Sequence, residues 1–154
     1  MKRQQLGIKK ATFASIISRK NHEDWYFSSN EEVDLNWFAY KKYLAEIKCW
    51  SSEDIDSIDK SSTKVINQLL NPHSKAKRYQ GLVLGYVQSG KTSNMAGTIA
   101  KAADRGYQLI IILAGLTDSL RKQTQNRMQK DIIQHLEERW YPCTTEESDF
   151  TLNT

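Results

Sequence analysis

Cysteine is nearly missing from this 154-residue chain. Cys49 and Cys143 stand far apart, and neither belongs to a Cys-x-x-Cys or Cys/His cluster. Two isolated thiols exclude a disulfide framework and point to inert packing residues rather than redox or metal chemistry. His22, His73 and His135 show no ligand spacing either, so no structural metal is expected. Long apolar runs are also missing. The longest, residues 109–114, is far shorter than the ~20 residues of a membrane-spanning helix. The N-terminus begins Met-Lys-Arg, and its apolar patch at Phe13, Ile16 and Ile17 is broken by polar residues with no small-residue cleavage site. That pattern argues against a signal peptide and for a cytoplasmic protein. Internal repeats and low-complexity tracts are absent.

What remains is a globular composition, 39% apolar and 26% charged, of a length suited to one ordinary core. Net charge is +4 and unevenly placed. Residues 1–80 carry 14 basic and 10 acidic side chains, residues 81–127 carry 6 and 2, and residues 128–154 carry 2 and 6. The middle segment is mildly basic, as a phosphate-binding surface requires, and the tail is acidic. The excess is too small to demand a nucleic-acid partner by itself.

Residues 1–33 offer little periodicity. Lys2, Arg3, Lys9, Lys10, Arg19 and Lys20 surround the apolar patch, compatible with either a docked helix or a loose arm. From Asp34, a plausible N-cap, the residues Leu35, Phe38, Tyr43, Leu44 and Ile47 suit one face of a helix ending near Lys48. Ser51-Ser52-Glu53-Asp54 offers a second start. Ile55, Ile58, Val65, Ile66, Leu69 and Leu70 then continue an apolar stripe until Asn71-Pro72 stops it. The aromatics of this region could stack on bases, but at helical spacing they read first as core. Residues 73–80 form a polar, basic linker.

The densest signal follows. Gly85-Tyr86-Val87-Gln88-Ser89-Gly90-Lys91-Thr92 fits the phosphate-binding pattern GxxxxGK[ST] at every fixed position. Residues 81–84 before it read as a buried strand. The Ala-rich stretch after it reads as a helix to about Asp104, closed by Gly106. In such a loop the N–H groups of Gln88, Ser89, Gly90 and Lys91 line an anion site at a helix N-terminus. Ser93 follows directly and joins the candidate nucleotide-binding set. Lys91 would reach the β- and γ-phosphates, and the Thr92 hydroxyl would ligate Mg2+. Residues 109–113 read as a second strand, apolar on both faces like a parallel strand under helices. Thr117 or Asp118 would cap a last helix through Leu120, Thr124, Met128, Ile132, Leu136 and Trp140, ended by Tyr141-Pro142.

The expected fold is therefore α/β: a partial P-loop core, a βαβ unit with parallel strands, behind a mainly helical N-terminal region. The expected parts are 1–77 (helical), 78–140 (nucleotide-binding unit and following helix) and 141–154 (polar tail).

Three segments together carry a resemblance. They are residues 78–92, Lys101-Ala-Ala-Asp-Arg-Gly-Tyr107, and residues 109–115 with Leu120-Arg-Lys-Gln-Thr-Gln-Asn-Arg127. The chain resembles the Z-one domain proteins, described as candidate endonucleases with a superfamily-two-helicase-like P-loop. The match is close over about residues 78–127 and looser outside them. It implies an ATP-binding, DNA-processing protein of restriction, phage defence or repair, with partner proteins of such a system. It also implies that Arg121, Gln123 and Thr124 touch nucleic-acid phosphates; on spacing alone Arg121 and Gln123 read as solvated helix residues.

One departure limits the activity. Hydrolysis needs an acidic pair at the end of another apolar strand, and no such strand follows residue 113. Glu137-Glu138 falls inside the last expected helix, and Glu146-Glu147 falls in a polar tail. No carboxylate cluster of a nuclease is visible, so no catalytic residue is assigned. The sequence reads as the front portion of a longer ATPase that binds ATP and turns over little alone. The alternatives are a non-catalytic interaction module that binds no nucleotide, and a small-molecule P-loop kinase, whose lid and substrate arginines are not found.

Overall fold

The computed structural model describes residues 24–74, 80–83 and 90–150. They form four α-helices: α1 (Leu35–Glu46), α2 (Ser52–Asn67), α3 (Lys91–Asp104) and α4 (Asp118–Asp131). Two 3-10 turns follow at Ile133–His135 and Glu137–Arg139. Local chemistry sets most of these limits. The Ser51 hydroxyl accepts the Asp54 N–H, and Glu53 and Asp54 lie at the positive end of the α2 dipole. Thr117 caps α4 in the same way, accepting from the Leu120 N–H. Helix α3 gives way to Gly106 at φ 91°, the left-handed step that commonly closes a helix.

Helix α1 is capped from elsewhere in the chain. Asp34 sits at the N-cap position, yet its side chain makes no cap bond. Its fully buried carboxylate instead accepts from the Arg105 guanidinium and the Ser29 N–H. The cap is supplied by the last residue of α3. The Asp104 carboxylate accepts the N–H groups of Asn36 and Trp37, both at 2.9 Å, and the side-chain amide of Asn36. Two donors that a helix start leaves without partners are thereby satisfied.

Helices α1, α2 and α3 share one core. Trp37, Tyr40 and Leu44 meet Ile55 and Ile58 of α2 and Ala96, Ile99 and Ala100 of α3. The buried face of α1 runs through Trp37, Tyr40, Tyr43 and Leu44; the expected Leu35 is only half-buried and Ile47 is exposed. Small residues on α3 permit the close approach. A Cβ added at Gly97 would stand 3.2 Å from both the Ser62 hydroxyl and the Trp37 ring. Met128 and Ile132 close the core from the α4 side. A second cluster joins Tyr26, Ile66 and Ala102, and the Asn67 side-chain carbonyl holds the Trp25 and Tyr26 N–H groups against it.

Helix α4 is shorter than its four-residue spacing suggests. It ends at Asp131 rather than near Trp140. Ile132 and Ile133 are consecutive β-branched residues, poor helix formers. The turn beyond them buries Ile132 and sets the His135 ring 4.4 Å from the Tyr43 ring.

The α/β expectation is overturned. No strand occurs among the described residues, so they contain neither a βαβ unit nor a parallel sheet. Residues 81–83 and 109–113, expected as strands, carry no ladder. The reason is visible in the second run. Ile110 and Ile112 pack against the helical core, whereas Leu109, Ile111 and Leu113 are 68%, 73% and 92% exposed. A parallel strand needs a paired neighbour and cover on both faces. Here one face meets the helices and the other meets no element among the described residues. Among the described residues no helix is long and apolar enough to cross a membrane.

Candidate nucleotide-phosphate site

Of the expected phosphate-binding residues, Gly85, Gln88 and Ser89 lie outside the described residues. The remaining four form the start of α3. Gly90 is its N-cap at φ 75° and ψ 18°, a left-handed conformation that a side chain at this position would strain. Lys91 is the first helical residue and is exposed, Thr92 is half-buried, and Ser93 is buried. No acidic residue lies in the first turn. The positive end of the helix dipole therefore meets no carboxylate from its own first turn.

The first turn is held from two neighbouring helices. The buried Tyr40 hydroxyl of α1 donates to the Ser93 carbonyl at 3.2 Å. Burial pushes the Tyr40 phenol well above its ordinary value, so it remains a donor across physiological pH. From α2, the Ser61 hydroxyl accepts from the Asn94 side-chain amide at 2.6 Å. The Ile58 side chain lies 3.7 Å from where a Gly90 Cβ would be. None of Tyr40, Ser61 and Asn94 stood out in the sequence. Asn94 is the second residue after the loop pattern, and Ser61 lies beside the apolar stripe of α2; those positions were the available signals.

The far end of α3 carries the polar residues of the segment Lys101 to Tyr107, and each is tied down. Lys101 is fully buried, its ammonium 4.2 Å from the centre of the Trp37 ring. It donates to the Asp59 carboxylate at 2.6 Å, the Asp59 carbonyl at 2.8 Å and the Thr63 hydroxyl at 2.7 Å. Burial lowers its pKa to about 8, against the opposing pull of Asp59. Asp104 caps α1, and burial raises its carboxyl pKa despite those three accepted bonds. Arg105 bonds Asp34 and the Phe27 carbonyl, and the Tyr107 hydroxyl donates to the Leu70 carbonyl. The segment that carries much of the resemblance thus works here as a joint between α3 and the residues before and after α1 and α2.

The nucleic-acid candidates lie on α4. Arg121 donates to the carbonyls of Thr145 and Glu146 and pairs with Asp118 at 3.1 Å. The Thr124 hydroxyl donates to the Leu120 carbonyl within its own helix. Gln123 is exposed. Arg121 thus fastens the segment after α4, with help from Gln125, which exchanges two hydrogen bonds with Thr144. Glu137 and Glu138 stand in a 3-10 turn, not in a helix, and are not buried. The described residues hold no group of three His, Cys, Asp or Glu side chains able to bind a metal. No protein family, curated protein or solved structure matches the chain.

Proposed function

We propose that the chain binds the polyphosphate of ATP, with Mg2+, at the start of α3. One observation carries this reading: the Gly-Lys-Thr that completes the phosphate-loop pattern coincides with a left-handed Gly90 followed at once by a helix whose first turn holds no acid. Backbone N–H groups and Lys91 would neutralise the phosphates. The Thr92 hydroxyl would give Mg2+ one ligand, with phosphate oxygens and water completing its octahedron. The resemblance of residues 78–127 to Z-one domain proteins supports a wider role: the ATP-binding part of a helicase-like DNA-processing protein of restriction, phage defence or repair, acting in the cytoplasm. Gln123, exposed on α4, is the candidate there whose side chain is most open to a DNA backbone; Arg121 and Thr124 would have to exchange present bonds for such a contact.

Titration of the purified chain with a non-hydrolysable ATP analogue and Mg2+ tests the reading. Lys91→Ala should weaken binding at least tenfold, and equal affinity of the two proteins would reject the site. Turnover by these 154 residues should be negligible, because no carboxylate is assigned to hold the metal and orient water. Robust Mg2+-dependent hydrolysis would contradict that.

A second reading, an interaction module that binds no nucleotide, is favoured by the outward row of Leu109, Ile111 and Leu113. Thermal stabilisation by the Mg2+–nucleotide complex separates the two, since a ligand of the folded state raises its unfolding temperature.

A further inference from the structure

Helix α3 meets its neighbours closely through the small residues Ala96, Gly97 and Ala100, with Ile99 buried and Met95 packed against the core beside them. Ridges and grooves set helix register, and a face with so few large side chains leaves part of that task to polar ties at the two ends. At the C-terminal end these are Lys101 to Asp59 and Asp104 to the start of α1. At the N-terminal end they are the Tyr40 hydroxyl on the Ser93 carbonyl and the Ser61 hydroxyl on Asn94.

We infer that Tyr40 and Ser61 are positioning residues for the phosphate site. Each grips a residue one or two steps after Thr92, one from α1 and one from α2, and together they fix the direction in which the first-turn N–H groups and the Lys91 stem leave the helix. The inference rests on the nucleotide-phosphate reading above and adds to it that the helices before the loop pattern are part of the binding apparatus. Pre-aimed donors bind an anion without first losing the freedom to roll, which is how a supporting shell acts through the groups that touch the ligand.

Tyr40→Phe removes one hydroxyl and keeps the ring in the core. Tyr43→Phe is its control: it removes an equivalent hydroxyl from the same helix, one that faces Asp131 of α4 at 2.8 Å and not α3. In the full chain, Tyr40→Phe should weaken binding of the ATP analogue about fivefold, the equivalent of one lost hydrogen bond. Tyr43→Phe should leave affinity unchanged. Ser61→Ala should act like Tyr40→Phe, and Ser61→Thr, which keeps a hydroxyl, should restore binding. In a Lys91→Ala background Tyr40→Phe should cost less than it does in the wild type, because one of the groups it aims has already been removed. Amide hydrogen exchange of residues 92–94 without ligand should quicken in Tyr40→Phe and not in Tyr43→Phe. Unchanged affinity and exchange in Tyr40→Phe, or equal losses in the two tyrosine variants, would overturn the positioning role while Lys91-dependent binding stands. Loss of Lys91 dependence itself would overturn the phosphate-site reading, and this inference with it.

Discussion

Lys101 and Asp59 form an ion pair whose two halves should respond oppositely to removal. The Lys101 ammonium is fully buried, whereas Asp59 keeps 30% of its side chain exposed. Burial lowers the lysine pKa to about 8 even with Asp59 alongside. Holding the charged form in this place therefore costs more than the pair returns, by an amount on the order of 3 kcal/mol relative to a lysine in water. Lys101→Met keeps the long stem beneath the Trp37 ring and removes the charge. Asp59, left behind, can turn its carboxylate to water. This variant should unfold within about 1 kcal/mol of wild type, or be more stable, as replacements of buried pairs by apolar residues often are. Asp59→Ala leaves a buried ammonium with the backbone carbonyl of residue 59, Thr63 and the faces of Trp37 and Tyr26, but no counter-charge in contact. It should cost about 3 kcal/mol, near the lower end of the range for breaking a buried pair. For a chain of this size that is a fall in Tm of roughly 10 °C.

Urea and thermal unfolding of the two single variants and the double variant measure this asymmetry. Once Lys101→Met is present, Asp59→Ala should cost little more than an exposed substitution, a strongly non-additive cycle. A Lys101→Met variant as damaging as Asp59→Ala, or costs that simply add, would refute the premise that desolvation outweighs the pair.

Two further outcomes follow from the same joints. Between the Lys101 folded value of about 8 and an unfolded value near 10.4, the unfolded chain binds the extra proton, so stability should rise with pH across that window. Above pH ~10 the rise should reverse, because buried Tyr26 and Tyr40 resist ionisation in the folded state while unfolded tyrosines lose their protons. Urea midpoints across pH 7 to 11 check both limbs, and the rising limb should vanish in Lys101→Met; its persistence there would assign it to another group. Asp104→Ala should cost about 1–2 kcal/mol, the usual worth of a lost cap. It should quicken amide exchange at Asn36 and Trp37, and unchanged protection at those two would show that the cap is not what holds the start of α1.

Local signals were legible wherever the physics is local. Ser51, Thr117 and Gly106 sit at the helix limits their chemistry dictates, and the Ile55, Ile58 and Ile66 face of α2 is buried as its spacing requires. What failed was whatever depends on a partner distant in sequence. Asp34 has the composition and position of an N-cap, but Arg105, seventy-one residues on, takes its carboxylate and Asp104 supplies the cap. The strand expectation failed for the same reason. Residues 109–113 are apolar enough for a covered strand, yet strand identity is conferred by a paired neighbour, which no local pattern encodes. In the candidate site, Gly90 and Lys91 were legible as a motif, while Tyr40 and Ser61 were not, since they act through the fold.

The same contrast bears on what the phosphate-loop pattern is worth here. In a P-loop protein the loop is commonly pictured as standing on a sheet, with the strand before it and the helix after it as one rigid unit. Among the described residues that support has no sheet in it, and the ties seen at the start of α3 come from helices. Tyr40 and Ser61 hold one end, and Lys101 and Asp104 hold the other. If the ties at the C-terminal end are what stop α3 from sliding, then Asp104→Ala should weaken nucleotide binding only as far as it loosens residues 92–94. Tyr40→Phe should do so at little cost to overall stability. Stability and affinity would then be governed from opposite ends of one fourteen-residue helix.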